Sequence, residues 1–294
     1  MLKVIVLAIV QGLAELLPIS SSAHVIVAEK LMGLDPSSPQ MTLLLVMLHT
    51  GTMFAVIAYF WRSWKETYFR DLRTFQRFLV LVIWATVLTG IVGEALKKLI
   101  ENTLLLSIPK AGIEDMFSHL EWIAPALAAA GILILIAGLM ERRHKLRAGA
   151  AESANASMTM AQAAWIGIVQ GLALPFRGFS RSGSTISTGM LAGAGKLESE
   201  RFSFALAVVL TPAVVAIEAM RLLKASTVTV PGTAAIDVHA SFAASFAGLI
   251  FSFIAGLLAL KWLSRWLEAG RWYWFGIYCL AASAIVMYLH TRGF

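Results

Sequence analysis

The sequence predicts an all-α polytopic membrane protein, with six transmembrane helices plus two re-entrant helical hairpins in an inverted-topology repeat. Three observations predict it. The 294-residue chain is 59% hydrophobic and 14% charged, where a soluble domain carries about 25% charged residues. Six apolar segments approach the roughly 20 residues that a helix needs to cross a bilayer. A short phrase, V-Q-G-L, occurs at 10–13 and again at 169–172, each time running into a proline and a hydroxyl-rich stretch.

The elements follow in order. Segments 2–17 and 22–33 are apolar but too short to span, and Pro18 with Ser20-Ser21-Ser22 separates them. They are read as one re-entrant hairpin over 2–33, because broken helices at membrane depth are tolerated only where protein covers them or they line a polar cavity. Spans 42–61, 79–100 and 122–140 complete a first repeat, 1–147. The small, polar stretch 148–160 reads as a linker. Segments 161–175 and 185–195 repeat the broken pattern and form a second hairpin over 161–195. Spans 203–223, 240–263 and 272–290 complete the second repeat, 161–294. Trp61, Trp64, Trp122, Trp262, Trp266, Trp272 and Trp274 fall near span ends, where interface anchors belong.

Charge orients the spans. Arg62, Lys65, Arg70, Arg73 and Arg77 lie in loop 62–78, and Arg142, Arg143, Lys145 and Arg147 in loop 141–160. Lys261, Arg265 and Arg271 lie in the turn 261–271. The positive-inside rule makes these loops cytoplasmic. Loop 101–121 carries Glu101, Glu114, Asp115 and Glu121 against Lys110, so it faces out, and loop 224–239 is poor in basic residues. Both termini then face outward. Three spans separate the hairpins, so one enters from each side, and the halves are inverted. The net charge of +7 is explained by these loops, and no nucleic-acid partner is expected. A signal peptide is a weak reading of the N-terminus, because Glu15 and Pro18 break its pattern and a related phrase recurs internally. The single cysteine, Cys279, excludes an intramolecular disulfide and a cysteine metal site.

The chemistry sits in the two broken phrases. Gln11 and Glu15 share a helix face, and a carboxylate at membrane depth is a functional hypothesis by default. Pro18 ends the first helix. Ser20, Ser21 and Ser22 start the next, either capping it or helping its N-terminus bind an anion. His24 follows Ser20 by four positions and can orient or deprotonate a serine or protonate a leaving group. The second phrase holds Arg177, Gly178, Ser180, Arg181, Ser182, Gly183, Ser184 and Thr185. Arg181 offers a planar fork suited to phosphate and needs a partner, either Glu15 or an anionic ligand. Arg177 lies on the ligand or on the cavity lip. His49 reads as making an interhelical hydrogen bond, and Glu218 with Arg221 as a local pair.

These phrases carry a resemblance. Q-G-L-A-E-L-L-P-I-S-S-S-A-H at 11–24 and G-F-S-R-S-G-S-T-I-S at 178–187 resemble the two motifs of the undecaprenyl-diphosphate phosphatase family of the bacitracin-resistance type. L-H-T-G-T at 48–52 and R-F-S-F-A-L-A at 201–207 also fit, and the likeness runs nearly end to end. The resemblance implies hydrolysis of undecaprenyl diphosphate to the monophosphate and inorganic phosphate at the outer side of a bacterial inner membrane. That recycles the lipid carrier of cell-wall synthesis and lowers bacitracin sensitivity. It also implies a divalent cation, Mg or Ca. By position, Glu15 matches the catalytic or metal-holding glutamate, Ser21 the proposed nucleophile, His24 the family histidine and Arg181 the phosphate-binding arginine. Gln11, Ser20, Ser22, Arg177, Ser180, Ser182 and Thr185 are the substrate-binding candidates. Two departures matter: Gln11, which the motif allows, cannot ionise, and Phe176 and Arg177 stand between Pro175 and Gly178.

The partners expected are a polyprenyl diphosphate lipid and the bilayer, and a homodimer is compatible with the sequence. The rival reading is a lipid-phosphate transporter or flippase, which the inverted repeat predicts equally well. The soluble-motif acid phosphatases that cleave the same lipid need His and Asp shortly after the Ser-Arg pair, and 182–195 contains neither.

Overall fold

A computed structural model of the chain describes residues 1–15, 17–36, 38–103, 119–148, 157–227, 237–267 and 271–293, with side chains except at 145–148, 225–227 and 262–267. Ten helices run through the described residues: α1 (Leu2–Glu15), α2 (Ser21–Leu31), α3 (Pro39–Tyr68), α4 (Leu72–Thr103), α5 (Leu120–Ala148), α6 (Met160–Ala173), α7 (Arg181–Leu191), α8 (Lys196–Thr227), α9 (Val238–Leu267) and α10 (Tyr273–Thr291). Six of them, α3, α4, α5, α8, α9 and α10, are long and apolar enough to cross a membrane. The other four have 14 or 11 residues. At about 1.5 Å per residue they fall well short of a hydrocarbon core. The architecture is thus all-helical with six spans, and the two short pairs are compatible with re-entrant hairpins.

The long helices overrun the expected spans. α3 continues to Tyr68 and α4 begins at Leu72, so most of the expected loop 62–78 is helical. Arg and Glu are good helix formers, and Arg62 pairs with Glu66 one turn on at 3.1 Å. Asp71 then caps α4, accepting from the Thr74 N–H at 2.8 Å. Those bonds hold its carboxyl below the usual aspartate range. The expectations that rest on Lys110, Glu114, Asp115, most of the linker 148–160 and most of loop 224–239 lie outside the described residues, as do the side chains of Lys145, Arg147, Trp262, Arg265 and Trp266.

The repeated phrase does matching work in both copies. α1 packs on α9 and α6 packs on α4. A Cβ at Gly12 would lie 2.9 Å from the Gly256 nitrogen of α9, and one at Gly171 would lie 2.8 Å from the Thr89 carbonyl oxygen of α4. Each glycine lets a short helix settle directly on the backbone of a long one, the close approach that drives helix association in lipid. The neighbouring Gln11 and Gln170 are fully buried. Hydroxyls tie further pairs: Ser252 of α9 donates to Leu48 O of α3 at 2.8 Å, Thr89 of α4 to Gly167 O of α6 at 2.9 Å, and Ser283 of α10 to Ala124 O of α5 at 2.6 Å.

The tryptophans divide. Trp61, Trp122 and Trp274 are exposed, as interface anchors are. Trp64 and Trp272 are buried instead. Trp64 stacks near Phe60, whereas Trp272 donates its indole N–H to Ser187 at 3.0 Å beneath the Lys196 ammonium. Short helix α7 needs a wall, and Trp272 supplies it. Cys279 is buried, as a small apolar residue should be, with its sulfur 3.5 Å from Pro18 O.

Candidate active site

Four helix segments meet at one point. Glu15 is the last residue of α1, Ser21 the first of α2 and Arg181 the first of α7, and His49 projects from the middle of α3. Pro18 stops α1 and the chain reverses within five residues, so Glu15 and Ser21 fall side by side. The second turn is pressed against the first. A Cβ at Gly183 would lie 2.9 Å from Pro18 O, so only glycine admits α7 this closely. Both turns carry a serine in left-handed backbone, Ser20 at φ 65° and Ser180 at φ 42°. Such positions cost about 1–3 kcal/mol and persist only where the surroundings enforce them, typically at working sites.

Glu15 is the hub. Its side chain is 4% exposed. Oε1 accepts from Arg181 Nη2 at 3.0 Å. Oε2 accepts from Gln11 Nε2 at 2.7 Å and from the Ser21 hydroxyl. His49 Nε2 lies 3.3 Å from the same Oε2 and 3.4 Å from Ser21 Oγ, and the other ring nitrogen, Nδ1, is 2.8 Å from Leu45 O. Arg181 closes the cluster with a side chain 26% exposed, so part of it remains accessible.

The other candidates sit around this hub in different ways. Ser20 and Ser22 bring their hydroxyls to 3.5 Å of each other. Ser20 caps α2 in position but makes no side-chain cap bond, which leaves the first N–H groups of that helix to an anion. Ser180 caps α7, accepting from Gly183 N at 3.2 Å. Ser182 is half-buried in the first turn. Thr185 is fully buried, donates to Arg181 O at 2.7 Å and touches Ser203. It therefore braces α7 against α8. Both ring nitrogens of His24 have partners. Its Nδ1 is 2.8 Å from Ser20 O, and its Nε2 is 2.7 Å from the hydroxyl of Tyr278 on α10. Arg177 is half-buried in the link before α7, and its charge acts on both Glu29 and His49.

Two ionisable groups here escaped the reading of the sequence. His49 does contact other helices, as expected, but those contacts are with the site itself. Glu29 is 1% exposed near the end of α2. The signal for both was an ionisable residue at membrane depth.

Among the described residues no cluster of three or more His, Cys, Asp or Glu could hold a metal by itself. The oxygen donors nevertheless fit a hard cation: Gln11 Oε1 is buried with no hydrogen-bond partner, beside the Glu15 carboxylate. Magnesium commonly takes one or two protein oxygens and completes its shell with water and substrate phosphate.

Six apolar spans enclosing short helices, whose ends converge on a carboxylate, a serine and a guanidinium, define a multi-pass membrane protein with a buried anion-handling site. The chain belongs to the family described as bacitracin resistance protein BacA, whose model matches residues 4–285. It is 53% identical over 98% of both chains to a protein of Acinetobacter baylyi named undecaprenyl-diphosphatase 2. It is 28% identical over 99% of both chains to the undecaprenyl-diphosphatase of Rhodopirellula baltica, and 30% identical over 97% of both to that of Desulfatibacillum aliphaticivorans.

Proposed function

We propose that this protein hydrolyses undecaprenyl diphosphate to undecaprenyl phosphate and inorganic phosphate, recycling the carrier lipid of cell-wall synthesis and conferring bacitracin resistance. The observation that carries the reading is the convergence of Glu15, Ser21 and Arg181 on one buried point. The names of relatives that match end to end support it.

Phosphoryl transfer asks a protein mainly for positioning and charge stabilisation. Arg181 turns its accessible part to the terminal phosphate, where a planar fork matches two oxygens. The uncapped start of α2 adds backbone N–H groups and the positive end of the helix dipole. Ser21 attacks the terminal phosphorus, with Glu15 and Gln11 fixing its hydroxyl. The lipid monophosphate departs with the bridging oxygen, and water then releases phosphate from Ser21. Glu15 and Gln11 Oε1 would hold the divalent cation, which supplies further neutralisation of the diphosphate. The prenyl tail lies among the spans in the bilayer.

The inverted repeat belongs to the same proposal. The matched short pairs, the matched glycines and the paired left-handed serines support two halves, 1–147 and 161–294, related by inversion. With the basic ends of α3, α5 and α9 in the cytoplasm, the site opens to the outer face of the inner membrane. Phosphate release by purified protein in detergent, where no sidedness exists, tests the reading. A diphosphatase releases one phosphate per lipid. A flippase releases none.

A further inference from the structure

We propose that the joint between α4 and α6 binds an anionic phospholipid, its phosphate on Arg73 and Arg77 and an acyl chain along the exposed face of α4. This site shares no residue with the cluster around Glu15 and does not depend on the proposed hydrolysis.

The sequence builds a graded stripe. Arg73, Gln76, Arg77, Val80 and Leu81 recur at i, i+3, i+4, i+7 and i+8, so they share one face of α4. With Met158 and Met160, at the approach to α6, they line a recess of about 330 Å³. Its polar end carries two guanidiniums and an amide, and the rest of its lining is apolar. Val80, Trp84, Val87 and Ile91 carry the stripe onward at helical spacing, and all four are exposed. They run about 16 Å along the helix. A face that passes from guanidinium and amide to bare hydrocarbon matches a lipid with an acidic headgroup.

The charge is available to a ligand. Arg77 Nη2 donates to Met158 O at 3.3 Å, which fixes the fork across the joint and leaves further N–H groups to bind an anion. Among the described residues no hydrogen bond or ion pair engages Arg73. The acid nearest in sequence, Asp71, accepts from Thr74 N at 2.8 Å and from Arg70 Nε at 3.3 Å. Glu198 of α8 reaches the Met158 N–H and accepts from the Tyr68 hydroxyl at 3.2 Å. Neither carboxylate pairs with Arg73 or Arg77.

Depth agrees with charge. Both arginines precede the apolar stretch 79–100, at the level where the phosphates of a leaflet lie. Basic recesses between membrane helices at that level hold acidic headgroups. A free anion would leave the apolar track unused, and a neutral lipid would leave two cations unmatched. The bound lipid ties the start of α4 to the start of α6, the root of the short helix pair that carries Arg181.

Native mass spectrometry of the full chain in neutral detergent tests this, with phosphatidylglycerol and phosphatidylcholine of the same acyl chains as the two titrants. An arginine near an acidic headgroup is worth roughly fivefold, so wild type should bind the first phosphatidylglycerol about 25-fold more tightly than phosphatidylcholine. Arg73→Gln with Arg77→Gln should bring that ratio to within about threefold and leave phosphate release in detergent at its wild-type rate. Arg62→Gln with Lys65→Gln removes equal charge outside the recess and should keep the preference. Equal affinity for the two lipids in wild type, a preference kept by the first pair of changes, or an equal loss from the second pair overturns the proposal. Displacement of phosphatidylglycerol by millimolar inorganic phosphate also overturns it, since the recess would then hold a free anion. If losing the Arg77 bond to Met158 unfolds the double variant, Arg73→Gln alone decides: a loss of preference of about fivefold supports the lipid site, and no change overturns it.

Discussion

Arg181 donates to Glu15 across 3.0 Å of space and 166 positions of sequence. The carboxylate comes from the first half of the chain and the guanidinium from the second, and the two form an ion pair. Taking two charges out of water is costly, and the pairing offsets it only where further hydrogen bonds complete it. Gln11 and Ser21 supply those bonds. The pair fastens the two turns together and leaves Arg181 partly exposed. In the proposed reaction, a terminal phosphate would meet a cation already oriented beside Ser21.

Ser21→Ala should reduce the turnover of undecaprenyl diphosphate about 10²-fold or more, with the thermal midpoint close to wild type, since Ala preserves the helix start. Steady-state phosphate release checks it. Near-wild-type turnover would leave water as the nucleophile.

Arg181→Lys replaces a fork with a point charge, so kcat/KM should drop sharply while part of the stability survives. Arg181→Met removes the charge and strands Glu15. Its stability loss should approach the low end of the about 3–5 kcal/mol seen for broken buried pairs, because Arg181 retains some exposure. Thermal unfolding in detergent separates the two variants. Equal stability in both would show that the charge of Arg181 does not hold the turns together.

Gln11→Glu adds a carboxylate beside Glu15. The concentration of Mg or Ca giving half-maximal activity should fall, because ligand charge tightens a hard-cation site. Gln11→Leu should raise it. Activity that is full after chelation and indifferent to either change would remove the cation from this site.

Gly171→Val and Gly90→Ala test the packing. A side chain at Gly171 meets Thr89 O and Val92 Cβ at 2.8 Å, whereas one at Gly90 meets nothing within 4 Å. The first should cost about 1–3 kcal/mol or more through overpacking. The second should be neutral or slightly stabilising, since alanine favours helix over glycine by up to about 1 kcal/mol. Thermal midpoints measure both.

Much of this was legible in the sequence, for physical reasons that name themselves. Spans are visible because lipid imposes length and apolarity together, so five of the six expected spans lie inside an observed helix and the sixth, 272–290, begins one residue before α10. The short pairs were visible because Pro18 and the serines interrupt apolar runs too brief to cross. Glu15 and Arg181 stood out because ionised groups at that depth need partners. The contacts of His49 with the site escaped because they depend on the rotation of α3, and Ser21 lies 28 positions away. The hydroxyl of Thr185 turns back to Arg181 O, a choice that local sequence does not encode. Trp64 and Trp272 follow the same logic, since a tryptophan near a span end can face lipid or a neighbouring helix.

The central claim is that a site made by both halves cleaves the terminal phosphate. The most direct measurement is the time course of inorganic phosphate released from undecaprenyl diphosphate in detergent by wild type, Glu15→Ala and Arg181→Ala side by side. The account predicts steady release by wild type and a collapse of at least about 10²-fold in each variant, although the altered residues come from opposite halves. Silence from the wild-type protein, or wild-type rates from either variant, would contradict it.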